Sequence, residues 1–437
     1  MSCILSTIEE QDSQADSVPI PPPIPPPIPD PRFAFHLLCG VIAIERFAFY
    51  LLFSLFTLFL TGELGMTEEE ATWNYGSFLA VMYFTPLLGG GIADRFGRWR
   101  SIVLGAALLA LGYAVLALGL PVLPCVAVLA TGVGLFKGNL TALVGSLFPK
   151  SERDAAYGRF YWAVNLGALP SGIAGAWLLS HHGFRSAFLV CCLAMSAVVL
   201  LGIWTRSLFQ RRYEIGAEST QHIASERDRI ATILGLLPVA VVFFCAFYQS
   251  GSSLTLFAKN NTRDTLLGIT IAPPVYQSLQ SALVLGLTPI LNRLFRRWPI
   301  STRNKLVIGM GLCSLSCVVM SDASMLALHG SNHDRVSPLW LISSYTLISV
   351  AELCVSPLGF SLVSKLAPPK LAGLLMGLWM AAIALGNLAT GFLGILWERW
   401  THDVFFFLLA LLSASAIPLL WIQGHRLDRV LGGRHDA

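Results

Sequence analysis

Residues 33–60 read FAFHLLCGVIAIERFAFYLLFSLFTLFL, an apolar run interrupted near its middle by one adjacent charge pair, Glu45 and Arg46. A helix rises roughly 1.5 Å per residue, so a run of this length crosses a ~30 Å hydrocarbon core with some to spare for tilt. Holding a charge at the bilayer centre costs about 2.5–3.5 kcal/mol on insertion scales. The pair is therefore expected to face a protein interior or a wet cavity, where a carrier keeps its working groups.

The composition extends this reading to the whole chain. Of 437 residues, 55% are hydrophobic and only 12% charged, and the mean hydropathy is +0.67. Soluble domains usually carry about 25% charged residues, so this chain belongs in lipid. Residues 1–32 end in PIPPPIPPPIPDPR and cannot build a core. They are expected to be a disordered tail with no cleavable signal peptide. Eight of the nine cysteines lie inside apolar runs, and no Cys/His group has zinc spacing, so they read as packing residues. No phosphate loop, metal constellation or nucleophile triad stands out, so an enzyme, a metal or another cofactor, or a nucleic-acid partner is not expected.

Twelve apolar stretches follow the tail, divided six and six by one longer polar segment. The expected fold is an all-α membrane protein with twelve transmembrane helices in two six-helix bundles. The bundles are placed at 33–206 and 232–424, with a cytoplasmic linker at 207–231 and a tail at 425–437. Roughly 22 lysines and arginines fall on the side of both termini, against about five on the other, which predicts cytoplasmic termini. The Thr67-Glu68-Glu69-Glu70 turn on the external side reads as a helix cap rather than a metal site.

The two halves repeat. Shifting residues 143–175 by 219 positions superposes Leu143, Pro149, Gly158, Gly167, Gly172 and Gly175 on Leu362, Pro368, Gly377, Gly386, Gly391 and Gly394. A shift of 198 places Ala48-Phe49-Tyr50 on Ala246-Phe247-Tyr248. Parallel repeats are how two-bundle carriers place a site between bundles at the midplane. The repeat also exposes an asymmetry. Intramembrane charge is Glu45, Arg46 and Lys137 in the first half and Glu352 in the second. A zwitterion across the interface would suit both, with its carboxylate toward Arg46 and Lys137 and its amine toward Glu352. The plain alternative is that these charges pair with one another and only hold the bundles together.

The segment Gly90-Gly91-Ile92-Ala93-Asp94-Arg95-Phe96-Gly97-Arg98 resembles the G-x-x-x-D-R-x-G-R signature of the major facilitator superfamily. There Asp94 is expected near a helix N-terminus of the other bundle, Arg95 and Arg98 anchor the turn, and Gly90 and Gly97 allow close helix approach. Other stretches resemble the proton-coupled oligopeptide transporter family within it. Glu45-Arg46-Phe47-Ala48-Phe49-Tyr50 is similar to its E-x-x-E-R-F-x-Y-Y motif, and Leu135-Phe136-Lys137-Gly138-Asn139 to its helix 4 lysine motif. Phe160-Tyr161-Trp162-Ala163-Val164-Asn165-Leu166-Gly167 and the region from Glu352 to Trp379 match its helix 5 and helix 10–11 signatures.

The resemblance implies that Arg46, Tyr50, Lys137 and Asn165 hold a peptide carboxylate and backbone. By the same route Glu352 takes the amine, Trp379 walls a side-chain pocket, and Tyr83, Gln249 and Gln280 contact substrate. Glu45, with Arg46 and Lys137, would form the proton-coupling cluster. The sequence departs from the family at Ile42, Phe53 and Tyr248, where relatives carry charged residues. The expected function is alternating-access symport of a small zwitterionic, di- or tripeptide-like solute with protons, by a monomer in a plasma or bacterial inner membrane. Two readings stand beside it: a divergent carrier of another organic solute by uniport or export, and a non-transporting membrane sensor.

Overall fold

The computed structural model describes residues 31–148, 150–209, 225–298, 300–329, 335–368 and 371–430. The proline-dense tail up to residue 30, most of the expected linker (210–224) and the last residues (431–437) lie outside this description, as does the side chain of Asp94.

Helix α1 spans Pro31–Gly62, with proline at its first position, where a missing N–H costs nothing. The next crossing is α2 (Glu68–Phe84) followed by α3 (Pro86–Phe96). Pro86 has no N–H to donate and so interrupts the ladder between them. Thr67 and Glu70 close a reciprocal capping box at the start of α2. Then come α4 (Arg98–Ala117), α5 (Val122–Ser146) and α6 (Lys150–Trp204). Helix α6 reverses at Gly183, where φ is 77° and ψ 179°, a backbone that glycine adopts freely.

After a short α7 (Arg206–Phe209), the second half begins with α8 (Glu226–Phe247). A 3-10 turn, Tyr248–Gly251, leads into α9 (Ser253–Asn260), and a small hairpin joins β1 (Thr265–Leu266) to β2 (Ile269–Thr270). Five long helices follow: α10 (Val275–Arg297), α11 (Thr302–His329), α12 (Leu339–Leu366), α13 (Ala372–Arg399) and α14 (His402–Val430).

Ten helical stretches among the described residues are long and apolar enough to cross a membrane. One of them, Ala156–Trp204, has 49 residues, roughly 74 Å if straight, so with its reversal at Gly183 it crosses twice. Helix α10 is 23 residues long but too polar to qualify by hydropathy. Counting the second crossing and α10 gives the twelve expected spans, arranged as two six-helix bundles. Within the first bundle α1 packs on α6, and α4 on α5 and α6; in the second α11 packs on α12 and α14, and α8 on α13 and α14.

Two boundaries differ from the sequence expectation. Helix α8 starts at Glu226, inside the expected linker, because Ser225 caps it through Asp228 and the charged residues form its first turn rather than a loop. Helix α14 continues to Val430, into the expected tail.

The bundles meet along two seams, α2 with α13 and the first half of α6 with α10. The repeat-related glycines sit one in each seam. A Cβ on Gly391 would stand 3.1 Å from the Trp73 carbonyl of α2, and Gly172 lies against the backbone of Pro274 at the start of α10. The same two positions, 219 residues apart, thus permit backbone contact at both seams. Hydrogen bonds between the bundles cluster on the half that carries Glu68, here called the Glu68 face. The opposite side, where both described ends lie, is the terminal face.

Candidate functional site

At the middle of α1, Glu45 and Arg46 form a two-point pair: Arg46 Nε donates to Glu45 Oε2 and Nη2 to Oε1, both at 2.5 Å. Both residues are buried. The guanidinium also lies 4.5 Å from the Phe49 ring centroid and 5.9 Å from that of Tyr50. Each Glu45 oxygen is engaged by the same cation, so the pair is neutral as a unit.

Lys137 of α5 has a different environment. Its ammonium stands 4.1 Å over the Tyr83 ring of α2, and no carboxylate among the described residues lies within 4.0 Å of it. The Tyr83 hydroxyl in turn accepts from the Tyr248 hydroxyl of the second bundle. Tyr248 opens the 3-10 turn that breaks the seventh crossing. The carbonyls freed there are taken up by side chains, as buried backbone in a membrane requires. Ser250 O accepts from Tyr345 at 3.0 Å and from Thr255 at 2.9 Å, and Gly251 O accepts from Thr57 of α1 at 2.6 Å.

Between the bundles lies a narrow cleft, with a free volume of about 10 Å³, lined by Tyr50, Phe53, Asn165, Phe247, Tyr248, Ser250, Gln277, Gln280, Ser281 and Glu352. One wall is aromatic. Tyr50 and Phe53 are 5.8 Å apart between centroids, Phe53 and Tyr248 6.3 Å, and Tyr248 and Phe247 5.1 Å. The other wall is polar, and Gln277 Oε1, Gln280 Oε1 and Ser250 Oγ are buried there with no partner. Buried polar groups are normally satisfied, so these atoms are available to a bound solute. Glu352 accepts from the Tyr161 hydroxyl of α6 at 3.1 Å, a neutral partner from the opposite bundle. No cationic nitrogen among the described residues is within 4.0 Å of it.

Of the residues expected from the sequence, the cleft brings together Tyr50, Asn165, Gln280 and Glu352. Tyr83 and Lys137 stand behind Tyr248, and Arg46 behind Tyr50. Gln249 is turned away: it donates to the Cys245 carbonyl at 3.3 Å and accepts from Ser253 at 2.6 Å. Trp379 is buried between α12 and α13, where Gly359 makes room for its indole, and it does not line the cleft. Ile42 is a buried core residue of α1, while Phe53 and Tyr248 are part of the aromatic wall.

In the loop motif, Gly97 has φ 88° at the turn and Arg95 and Arg98 are exposed. The close helix approach expected of Gly90 is made instead by Gly89, which lies against the Gly134 backbone of α5; a Cβ on Gly90 would meet nothing.

Tyr161, Gln277 and Ser281 were not singled out from the sequence. Tyr161 sits inside the helix 5 stretch quoted above. Gln277, Gln280 and Ser281 share one face of α10 at helical spacing, a polar stripe in an otherwise membrane-length helix.

Residues 38–391 match the family model described as Major Facilitator Superfamily. The dipeptide and tripeptide permease A of Klebsiella pneumoniae (strain 342) is 31% identical over 444 residues, covering 86% of this chain and 87% of that protein. The protein of the same name from Escherichia coli (strain K12) is 29% identical over 425 residues, 82% of this chain and 83% of the other. Among solved structures, a POT family transporter in complex with 5-aminolevulinic acid superposes with a TM-score of 0.81 at 20% identity, over 90% of this chain and 96% of that one. The peptide transporter POT in complex with sulfate gives 0.80 at 21% identity, over 91% and 95%.

Proposed function

The chain belongs to the major facilitator superfamily and, within it, to the proton-coupled oligopeptide transporters; on that premise we propose that it carries a small zwitterionic, peptide-like solute by alternating access, together with protons. One observation carries the substrate reading. Each bundle contributes one midplane charge with no opposite charge within 4.0 Å among the described residues, Lys137 in the first and Glu352 in the second. A buried charge left alone costs several kcal/mol, whereas a dipolar solute neutralises both at once. The solute's ammonium goes to Glu352, beside Tyr161, Gln277 and Gln280. Its carboxylate goes toward Lys137 and Arg46 past Tyr50 and Asn165, while apolar side chains pack on the aromatic wall.

Proton coupling is assigned to the Glu45–Arg46–Lys137 cluster. Arg46 holds Glu45 through both oxygens. When a substrate carboxylate draws Arg46 toward the cleft, Glu45 is left buried without its cation and takes up a proton. The terminal face is assigned to the cytoplasm, because Arg95, Arg98, Arg293, Arg296 and Lys305 gather there. The site lies within one chain, which suits a monomer.

Counterflow of labelled dipeptides in proteoliposomes, with and without a pH gradient, tests this. Saturable dipeptide exchange is expected, with gradient-driven uptake in the wild type and exchange only in Glu45→Gln. Absence of exchange for any free dipeptide overturns the substrate reading. A second reading, an uncoupled carrier, draws on the closed Glu45–Arg46 pair; gradient-insensitive uptake at clamped membrane potential decides for it.

A further inference from the structure

The Thr67-Glu68-Glu69-Glu70 turn does more than cap α2. Thr67 and Glu70 form the capping box between themselves, which leaves Glu68 and Glu69 free of that task. Both oxygens of Glu68 cross to the second bundle. Oε2 accepts from Trp397 Nε1 of α13 at 2.6 Å, and Oε1 accepts from Asn260 Nδ2 of α9, also at 2.6 Å. The Trp397 ring is 1% exposed. It is held flat against His402, with centroids 3.8 Å apart and 6° between planes, and by the edges of Phe405 and Phe406. The donor is therefore held by rings of its own bundle as well as by Glu68.

Neighbouring Glu69 is less suited to such a role. Its backbone N–H donates to Glu398 at 2.7 Å, but its carboxylate faces Arg399 at 3.9 Å, and the Arg399 side chain is 67% exposed. A solvated pair of that kind contributes little. The Glu68 bonds are charge-assisted and short; the one to the buried Trp397 indole is where such bonds count most, while the one to Asn260 is exposed.

We propose that Glu68 is a lock on the Glu68 face. One side chain of the first bundle clasps both α9 and α13 and holds the bundles together there, independently of the charges in the cleft. The inference rests on the transport reading only for its physiological meaning, because the state it controls can be measured without substrate.

The experiment uses the full-length protein in lipid nanodiscs, in a background with the native cysteines replaced. One spin-label pair at Glu63→Cys and Leu267→Cys spans the Glu68 face, and a second at Phe96→Cys and Trp298→Cys spans the terminal face. All four sites are exposed. Electron–electron distance distributions are compared with Glu68 intact, as Glu68→Gln and as Glu68→Ala. Glu68→Ala removes two charge-assisted bonds and is expected to raise the ratio of open to closed on the Glu68 face by at least about tenfold, with a matching shortening across the terminal face. Glu68→Gln loses the charge and one of the two acceptors, Trp397→Phe loses one bond, and each shifts it less; the double Glu68→Ala/Trp397→Phe adds little to Glu68→Ala.

Unchanged distances overturn the proposal. So does widening of the Glu63/Leu267 pair without terminal shortening, which would mean local fraying, and so do strictly additive effects. Should Glu68→Ala fail to insert, the same distances in Glu68→Gln and Trp397→Phe decide the matter. Because no peptide is present, failure here leaves the substrate reading standing, and failure of the counterflow assay leaves the lock standing.

Discussion

The midplane holds two carboxylates in opposite situations. Glu45 is buried with both oxygens engaged by the residue next to it in sequence. Glu352 opens on the cleft, where its partners among the described residues are neutral: the Tyr161 hydroxyl from the other bundle and the Gln280 side chain. The first is complete without a ligand, and the second is not. Adjacent opposite charges let a chain bring an acid into a membrane as a neutral package, whereas a lone acid is tolerable only where something else completes it.

The strongest way to break this contrast is to turn the first acid into the second kind. Arg46→Ala leaves Glu45 buried without its cation, and the expected loss is about 3–5 kcal/mol of stability together with all uptake. Replacing both, as Glu45→Gln with Arg46→Gln, is expected to recover most of the thermal midpoint in detergent but none of the uptake. Recovery of uptake as well would show that the pair is a structural staple only.

Next in size is the converse change, Glu352→Gln. It removes a charge-assisted bond to the solute's ammonium, so affinity for free-amine dipeptides is expected to fall by about 10–150-fold, from roughly 1.5–3 kcal/mol. Amine-blocked analogues should change by no more than about threefold, a difference read in competition binding. Equal losses for both ligand types would remove Glu352 from the amine end.

A smaller effect is expected at the link between the two environments. Tyr248→Phe deletes the hydroxyl bond to Tyr83 and nothing else, a matter of about 0.5–1.5 kcal/mol. The fraction open on the Glu68 face should rise accordingly in the distance measurement. Trp379→Phe should do least. Its indole N–H has no partner and the ring lies away from the cleft. Dipeptide affinity is expected to stay within about twofold, or roughly 0.4 kcal/mol. A large affinity loss would bring Trp379 back to the pocket wall in another state of the cycle.

Much of this was legible in the sequence. The twelve spans follow from apolar runs, and the two halves from glycines that recur in register because the seams need them. Glu352 stood out as an acid in the middle of an apolar run of its half. What the sequence could not supply was rotation. Gln249 and Trp379 lie on the expected helices, but the 3-10 turn that begins at Tyr248 and the packing of Trp379 on Gly359 aim them elsewhere. Gly89 and Gly90 differ by one residue, or about 100° around a helix, and only the first meets a neighbour. The run of charges at 226–229 looked like linker because it is polar, yet polar residues with a serine cap are also how a helix begins at a membrane surface.

Helix α10 carries one more consequence. With two glutamines, two serines and an asparagine along its length, it is more polar than the ten described stretches that are apolar enough to cross a membrane. The face that makes the cleft polar is what makes the helix reluctant to insert. It is expected to enter beside partners already made, with α10 committing to the bilayer when the segments around it can shelter its amides. Gln280→Leu should then insert more readily in a translocation assay while it weakens the site, so that assembly and recognition pull in opposite directions on the same residue.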